Sequence, residues 1–217
     1  MKVAILTGGL GTRLGDLARN VPKAMVPIGK RPFLELVIDS FATRGLRDFV
    51  LLIGHRGDVI EKHFADGSRF GVHIDYSREP EPLGTGGAVR LARPLLGDRF
   101  LLTYGDVLRR FDYDRFVNAH REPCLAIYRR ISAGNTDIEG DRVIRFDKQA
   151  PELPYIDAGF CVMPSGVIDW LPPKGSFEEI VFPRLARELR LACEIVDHNF
   201  YEIGTPADLE KTRKALA

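Results

Sequence analysis

The amino-acid sequence predicts an α/β fold: a three-layer α/β/α sandwich around a mostly parallel sheet. Three observations carry that expectation. Short apolar runs rich in Val, Ile, Leu and Phe recur through the first half, each compact enough to be a strand buried on both faces. Segments of helical periodicity separate them, and strand–helix alternation gives parallel strands joined by right-handed crossovers. The chain of 217 residues is long enough for one domain with its own core, without a disulfide or metal to hold it together.

In chain order, Val3–Thr7, Phe49–Ile53, Val72–Tyr76 and Phe100–Tyr104 are the strands of the first half. Pro32–Thr43 reads as a helix: Pro32 suits its first position, Leu34, Val37, Ile38 and Phe41 form one stripe, and Gly45 follows its end. Val59–Ala65 and Gly87–Leu96 are two more helices between strands. Beyond about residue 120 the pattern changes. Cys124–Ile131, Val143–Phe146, Ile156–Met163 and Leu191–Asp197 are strands with shorter connections, some of them antiparallel. Phe177–Leu189 is a helix with Ile180, Val181 and Leu185 on one side, and a last helix opens at Thr205-Pro206-Ala207-Asp208 with a capping box. No repeat or linker interrupts the chain, so residues 1–217 form a single domain. It is expected to divide at about residue 120 into two functional halves.

Composition excludes several function classes. Lys plus Arg number 31 against 30 Asp plus Glu, a net charge of +1, whereas nucleic-acid binders carry a basic surplus. Hydrophobic residues at 45% and charged residues at 28% describe an ordinary globular chain. The apolar start of Met1–Leu6 is cut short by Thr7-Gly8-Gly9, and no apolar run reaches membrane-span length. Cys124, Cys161 and Cys193 lack metal or disulfide spacing and read as buried, reduced thiols. The expectation is a cytoplasmic protein, a monomer or small homo-oligomer, without a nucleic-acid or membrane partner.

The strongest chemical signal lies where the first strand ends: Gly8-Gly9-Leu10-Gly11-Thr12-Arg13-Leu14, with Pro22-Lys23 downstream. Three glycines in four positions let the backbone turn sharply and bring N–H groups against an anion. Arg13 supplies a forked donor for phosphate oxygens and Lys23 a flexible point charge. The segment is neither a dinucleotide fingerprint, because the sixth position from Gly9 is Leu14, nor a P-loop.

G-G-x-G-T-R-L followed by Pro22-Lys23-Ala24-Met25-Val26-Pro27 resembles the signature of the sugar-1-phosphate nucleotidylyltransferases. The likeness continues through Leu83-Gly84-Thr85-Gly86-Gly87-Ala88, Gly105-Asp106, Asp147-Lys148, Asp157-Ala158-Gly159 and Ile203-Gly204-Thr205-Pro206. It implies a Rossmann-like nucleotide-diphospho-sugar transferase fold and a reaction in which a nucleoside triphosphate and a sugar 1-phosphate give a nucleotide sugar and pyrophosphate. It also implies Mg²⁺, held by Asp106 and by Glu202, which stands where many relatives have Asp. Arg13 and Lys23 are the implied catalytic cations, and Gly8, Gly9, Gly11, Thr12, Gly84 and Thr85 the implied nucleotide contacts. Lys148 matches a lysine that contacts the sugar's phosphate, with Asp147, Asp157 and Gly159 beside it on the sugar side. Asp147 and Asp157 depart from the usual Glu and Asn, which bears on the sugar and not on the reaction class.

Base choice falls to the loop 79–87, where Glu79 occupies a position at which uridylyltransferases often carry Gln. A carboxylate can accept from guanine N1–H and N2–H, or from uracil N3–H. Within the family the chain most resembles the D-glycero-α-D-manno-heptose 1-phosphate guanylyltransferases, through Arg31-Pro32-Phe33-Leu34-Glu35 and Leu83–Ala88. Uridylyltransferases acting on N-acetylmuramate 1-phosphate are the alternative. Asp112-Tyr113-Asp114 is a D-x-D of the kind that metal-dependent glycosyltransferases use, but here it fits the acidic start of a helix.

Overall fold

A computed structural model describes residues 1–9, 14, 21–129, 133–197 and 199–216. Among these, nine strands form one sheet. In chain order they are β1 (Lys2–Leu6), β4 (Asp48–Ile53), β5 (His73–Arg78), β6 (Arg99–Tyr104), β8 (Cys124–Arg129), β9 (Thr136–Glu139), β10 (Arg142–Phe146), β11 (Tyr155–Pro164) and β12 (Ala192–Ile195). Two short ribbons stand beside it, β2 (Pro27–Ile28) with β3 (Arg31–Pro32), and β7 (Val107–Arg109) with β13 (Phe200–Glu202).

The spatial order is β5-β4-β1-β6-β11-β8-β12-β10-β9. From β5 to β6 every neighbour is parallel. Past β6 the pairs are antiparallel except β8 with β12. The parallel character therefore belongs to the half that alternates with helices. Side chains alternate across the strands: Phe49, Leu51 and Ile53 enter one core, Val50 and Leu52 the other. Two buried faces are why these strands read as unbroken apolar runs.

Helices cover both faces. On one lie α1 (Phe33–Ala42), α2 (Gly57–Phe64), α5 (Tyr113–Ala119) and α7 (Pro206–Leu216), which contribute Leu34, Ile60, Phe116 and Leu209 to its core. On the other lie α3 (Gly84–Leu91), α4 (Arg93–Leu96) and α6 (Phe177–Arg187), with Val89, Leu96 and Val181. The helix expected over Gly87–Leu96 starts three residues earlier and breaks at Ala92, because Pro94 has no N–H to continue the ladder. Thr205 and Asp208 form the expected capping box: Asp208 N–H donates to Thr205 Oγ1 at 3.2 Å and Thr205 N–H to Asp208 Oδ2 at 3.1 Å. All three cysteines are buried free thiols.

β1, β4, β5 and β6 end at one edge, where open α/β sheets receive ligands. Thr7 N–H bonds Leu52 O, Gly105 N–H bonds Leu6 O and Glu79 N–H bonds Ile53 O, each at 2.9 Å. These bonds set the residues after β1 and β5 beside the end of β4, and the residue after β6 beside the end of β1.

Candidate active site

A cavity of about 280 Å³ opens on that edge, lined among others by Gly8, Gly9, Lys23, Glu79, Thr85 and Asp106. Lys23 opens the single helical turn Lys23–Met25 and is only 11% exposed; its Nζ lies 2.5 Å from Asp106 Oδ2. A cation and a carboxylate from residues 83 positions apart thus meet at one point.

Glu79 follows β5 and turns into the cavity. Its Oε2 accepts from Leu83 N–H at 3.0 Å, and burial pushes its pKa above the ordinary 4.5. Space for it is made by two glycines. A Cβ on Gly8 or on Gly54 would stand 2.6 Å from Glu79 Oε1. Gly84, at φ +74°, has a different reason to be glycine: a Cβ there would stand 2.5 Å from Gly175 O. Gly86 N–H also bonds Gly175 O, at 2.8 Å, so this loop is packed on the backbone before α6.

Thr85 is tied to the same region. Its Oγ1 accepts from Phe177 N–H and donates to Glu178 Oε2, both at 2.8 Å. Glu178 is 3% exposed and also accepts from Ser176 Oγ at 2.7 Å, from Lys148 Nζ at 3.3 Å, and from the Tyr104 hydroxyl. Burial alone would raise its pKa, but these donors outweigh that effect and hold it below 4.5. One carboxylate therefore links the loop of Thr85 to the segment of Lys148.

A second cavity, of about 860 Å³, adjoins the first at Tyr104, which lines both. Asp157, Gly159 and Glu202 line it. Asp157 Oδ1 accepts from Gly159 N–H at 2.7 Å and Oδ2 from Asn135 Nδ2 at 3.2 Å, while burial raises its pKa. Gly159 sits at φ +70° on an irregularity of β11. Glu202 reaches the site through the small ribbon: it pairs with Val107, and Ile203 N–H bonds Asp106 O at 3.2 Å. The backbone of Glu202 is thereby brought beside that of Asp106, while the Asp106 side chain lines the first cavity and that of Glu202 the second.

Asp147 and Lys148 line neither cavity but a smaller hollow of about 220 Å³. The Asp147 carboxylate accepts from Gln149 N–H at 2.9 Å and from Arg145 at 3.0 Å, which shapes the turn after β10. Gly11, Thr12 and Arg13 lie outside the described residues. Asp112 caps α5, accepting from Arg115 N–H at 3.1 Å, as its place in the sequence indicated.

Residues 2–134 match the family model described as Nucleotidyl transferase. The chain belongs to that family. It is a nucleotidyltransferase, and its relatives narrow the comparison. It is 32% identical to the D-glycero-alpha-D-manno-heptose 1-phosphate guanylyltransferase of Campylobacter jejuni, over 96% of both chains. It is also 32% identical to the enzyme of the same name from Aneurinibacillus thermoaerophilus, over 100% of this chain and 98% of that one. Among solved structures, HddC from Yersinia pseudotuberculosis superposes with a TM-score of 0.85 at 26% identity, covering 100% of this chain and 99% of its own. HddC has also been solved complexed with GMP-PN.

Three side chains that line or brace these cavities were not singled out from sequence. Asn135 carries no motif. Glu178 is the third residue of Ser176-Phe177-Glu178-Glu179, which reads as a helix cap, and Ser176 does accept from Glu179 N–H at 3.3 Å. Arg109 is the third; the doublet Arg109-Arg110 just after Gly105-Asp106 was its available signal.

Proposed function

We propose that this nucleotidyltransferase transfers a guanylyl group from GTP to a sugar 1-phosphate, D-glycero-α-D-manno-heptose 1-phosphate being the preferred acceptor, and releases pyrophosphate. The observation that carries the base assignment is the Glu79 carboxylate turned into the first cavity against Gly8 and Gly54. Guanine offers two adjacent N–H donors to a carboxylate, whereas uracil offers one flanked by carbonyls. The two full-length relatives named as guanylyltransferases support the same base and sugar.

In this proposal the first cavity takes the triphosphate and the second the sugar phosphate; Tyr104, Val107 and Arg109, from before residue 120, line the second as well. A sugar-phosphate oxygen attacks the α-phosphorus in line and pyrophosphate leaves without a covalent enzyme intermediate. Positioning and charge neutralisation do most of that work. Lys23 binds phosphate oxygens from beside Asp106, and Arg13 grips the leaving pyrophosphate. Glu178 orients Thr85 and Lys148 together, and Asp157 holds the Gly159 turn open to the sugar.

Asp106 and Glu202 suit Mg²⁺. They offer hard carboxylate oxygens, and Asp106 already holds a positive charge at 2.5 Å, that of Lys23. Among the described residues no group of three or more His, Cys, Asp or Glu is placed for a metal. Mg²⁺ usually takes one or two carboxylates and completes its shell with phosphate oxygens and water. When bound there, Mg²⁺ would neutralise phosphate charge. No helix of the described residues is long and apolar enough to cross a membrane.

The test is a pyrophosphate-release screen of four nucleoside triphosphates against a panel of sugar 1-phosphates. GTP with the heptose 1-phosphate is expected to give the highest kcat/KM. Preference for UTP with N-acetylmuramate 1-phosphate would replace the assignment with the alternative, and sugar transfer from a nucleotide sugar without pyrophosphate chemistry would refute it.

A further inference from the structure

Arg109 ends β7 and is 4% exposed, yet it lines the second cavity. Its Nε and Nη1 are buried with no hydrogen-bond partner among the described residues. Its guanidinium carbon lies 5.3 Å from the centre of the Phe160 ring, and its polar company is the hydroxyls of Tyr113 and Tyr128. Those phenols bring no charge. Gly159 makes room for it, since a Cβ there would stand 2.7 Å from Nη2.

A buried cation with no ion pair among the described residues is costly, although Asp157 and Glu202 line the same cavity, and arginine cannot escape the cost by giving up its proton as a lysine can. The fold has nonetheless kept one under the floor of a ligand cavity, beside the glycine whose missing side chain gives it space. Its forked donors match a carboxylate or phosphate in two parallel bonds. We propose that Arg109 is a specificity-determining residue that receives an anionic group of the sugar 1-phosphate. This rests on the assignment of the second cavity to the sugar phosphate. The anion has two possible sources, the anomeric phosphate itself or a second acid carried by the sugar.

The experiment is calorimetric titration of the full chain with α-D-mannose 1-phosphate and, separately, α-D-glucuronic acid 1-phosphate. It compares wild type with Arg109→Met, which keeps side-chain length and removes the charge. Thermal melting of each protein is recorded alongside. Arg109→Met is expected to melt at or above the wild-type temperature and to weaken sugar-phosphate binding about 30-fold or more. Loss with both sugars identifies the anomeric phosphate, and loss with the uronate alone identifies a second acid. Arg109→Lys keeps a charge but not the fork, and serves if the Met variant does not fold; its affinity is expected to fall at least about threefold.

Unchanged affinity in a folded variant, with or without a lowered melting temperature, overturns the proposal and leaves Arg109 a structural cation. So does a wild type that binds neither sugar. Pyrophosphate release by the wild type is scored separately. A protein that binds sugar phosphates through Arg109 but transfers no nucleotidyl group refutes the reaction and not this residue's role.

Discussion

Lys23 and Asp106 neutralise each other at 2.5 Å, at the mouth of the cavity proposed for the triphosphate. The pair means that the free protein presents neither a bare cation to phosphate nor a bare carboxylate to metal. In the reaction proposed above, both would be released together, a phosphate taking the ammonium and a divalent ion the carboxylate. The pair is partly buried, with side-chain exposures of 11% and 32%, so solvent screens it less than a surface bridge.

A competition follows for the metal. Lys23→Met is expected to tighten Mn²⁺ binding to the nucleotide-free protein, measured by electron paramagnetic resonance, while lowering turnover about 10²-fold. Asp106→Asn is expected to lose both metal binding and turnover, since an amide is a poor ligand for a hard cation. Weaker metal binding in Lys23→Met would show that the lysine supports the site and does not compete for it.

Glu79 gives a base-selectivity prediction with a stability signature. Glu79→Gln should move relative kcat/KM from GTP toward UTP by about tenfold, the worth of one lost donor–acceptor match. Gly8→Ala should act in the same direction, because its Cβ would displace the carboxylate. Burial raises the Glu79 pKa above 4.5 in the folded state. The charged form therefore destabilises the fold, from 4.5 upward and fully above the raised value. Glu79→Gln should melt higher than wild type at pH 7, and the gain should vanish below about pH 4.5. An unchanged GTP to UTP ratio in both variants would remove Glu79 from base recognition.

How far the sequence reached is instructive at particular residues. β1, β4 and β6 were legible because both faces are buried, which leaves an unbroken apolar run such as Phe49–Ile53; β5, expected to be buried in the same way, is an edge strand whose His73 and Arg78 are exposed. Asp106 was legible because it follows such a strand. The ribbon of β7 and β13 was not, since three-residue strands carry no periodicity, and it is this ribbon that sets Glu202 beside Asp106. Glu178 was hidden by its neighbour's cap. Gly84 shows why the reason for a glycine is hard to read from sequence: its Cβ would meet Gly175 O, from a segment about ninety positions away. A glycine reports a close approach without saying to what.

Asp112 separates the nucleotidyltransferase from the glycosyltransferase chemistry of a D-x-D pair. It caps α5 through Arg115 N–H. Asp112→Ala should cost about 1 kcal/mol of stability and leave pyrophosphate release at the wild-type rate, while Asp112→Asn, an equally good cap, should change neither. Greater loss of activity in Asp112→Asn than in Asp106→Asn would point to a metal at the wrong pair for this reaction.

Glu178 is where stability and function meet, because its carboxylate is buried and surrounded by donors from Tyr104, Lys148, Ser176 and Thr85. Its folded pKa lies below the ordinary 4.5, so its contribution is present above 4.5 and is lost as pH falls through the folded value. Glu178→Gln keeps the shape but removes the charge and turns one acceptor into a donor facing other donors. The expected cost is about 1–3 kcal/mol in urea denaturation at pH 7, shrinking at pH values below 4.5, where wild type loses the same charge. Because the residue ties Thr85 to Lys148, the KM values for GTP and for the sugar 1-phosphate should both rise. A variant that loses stability but keeps both KM values would make Glu178 a purely structural anchor. One that raises only the sugar-phosphate KM would confine its influence to Lys148.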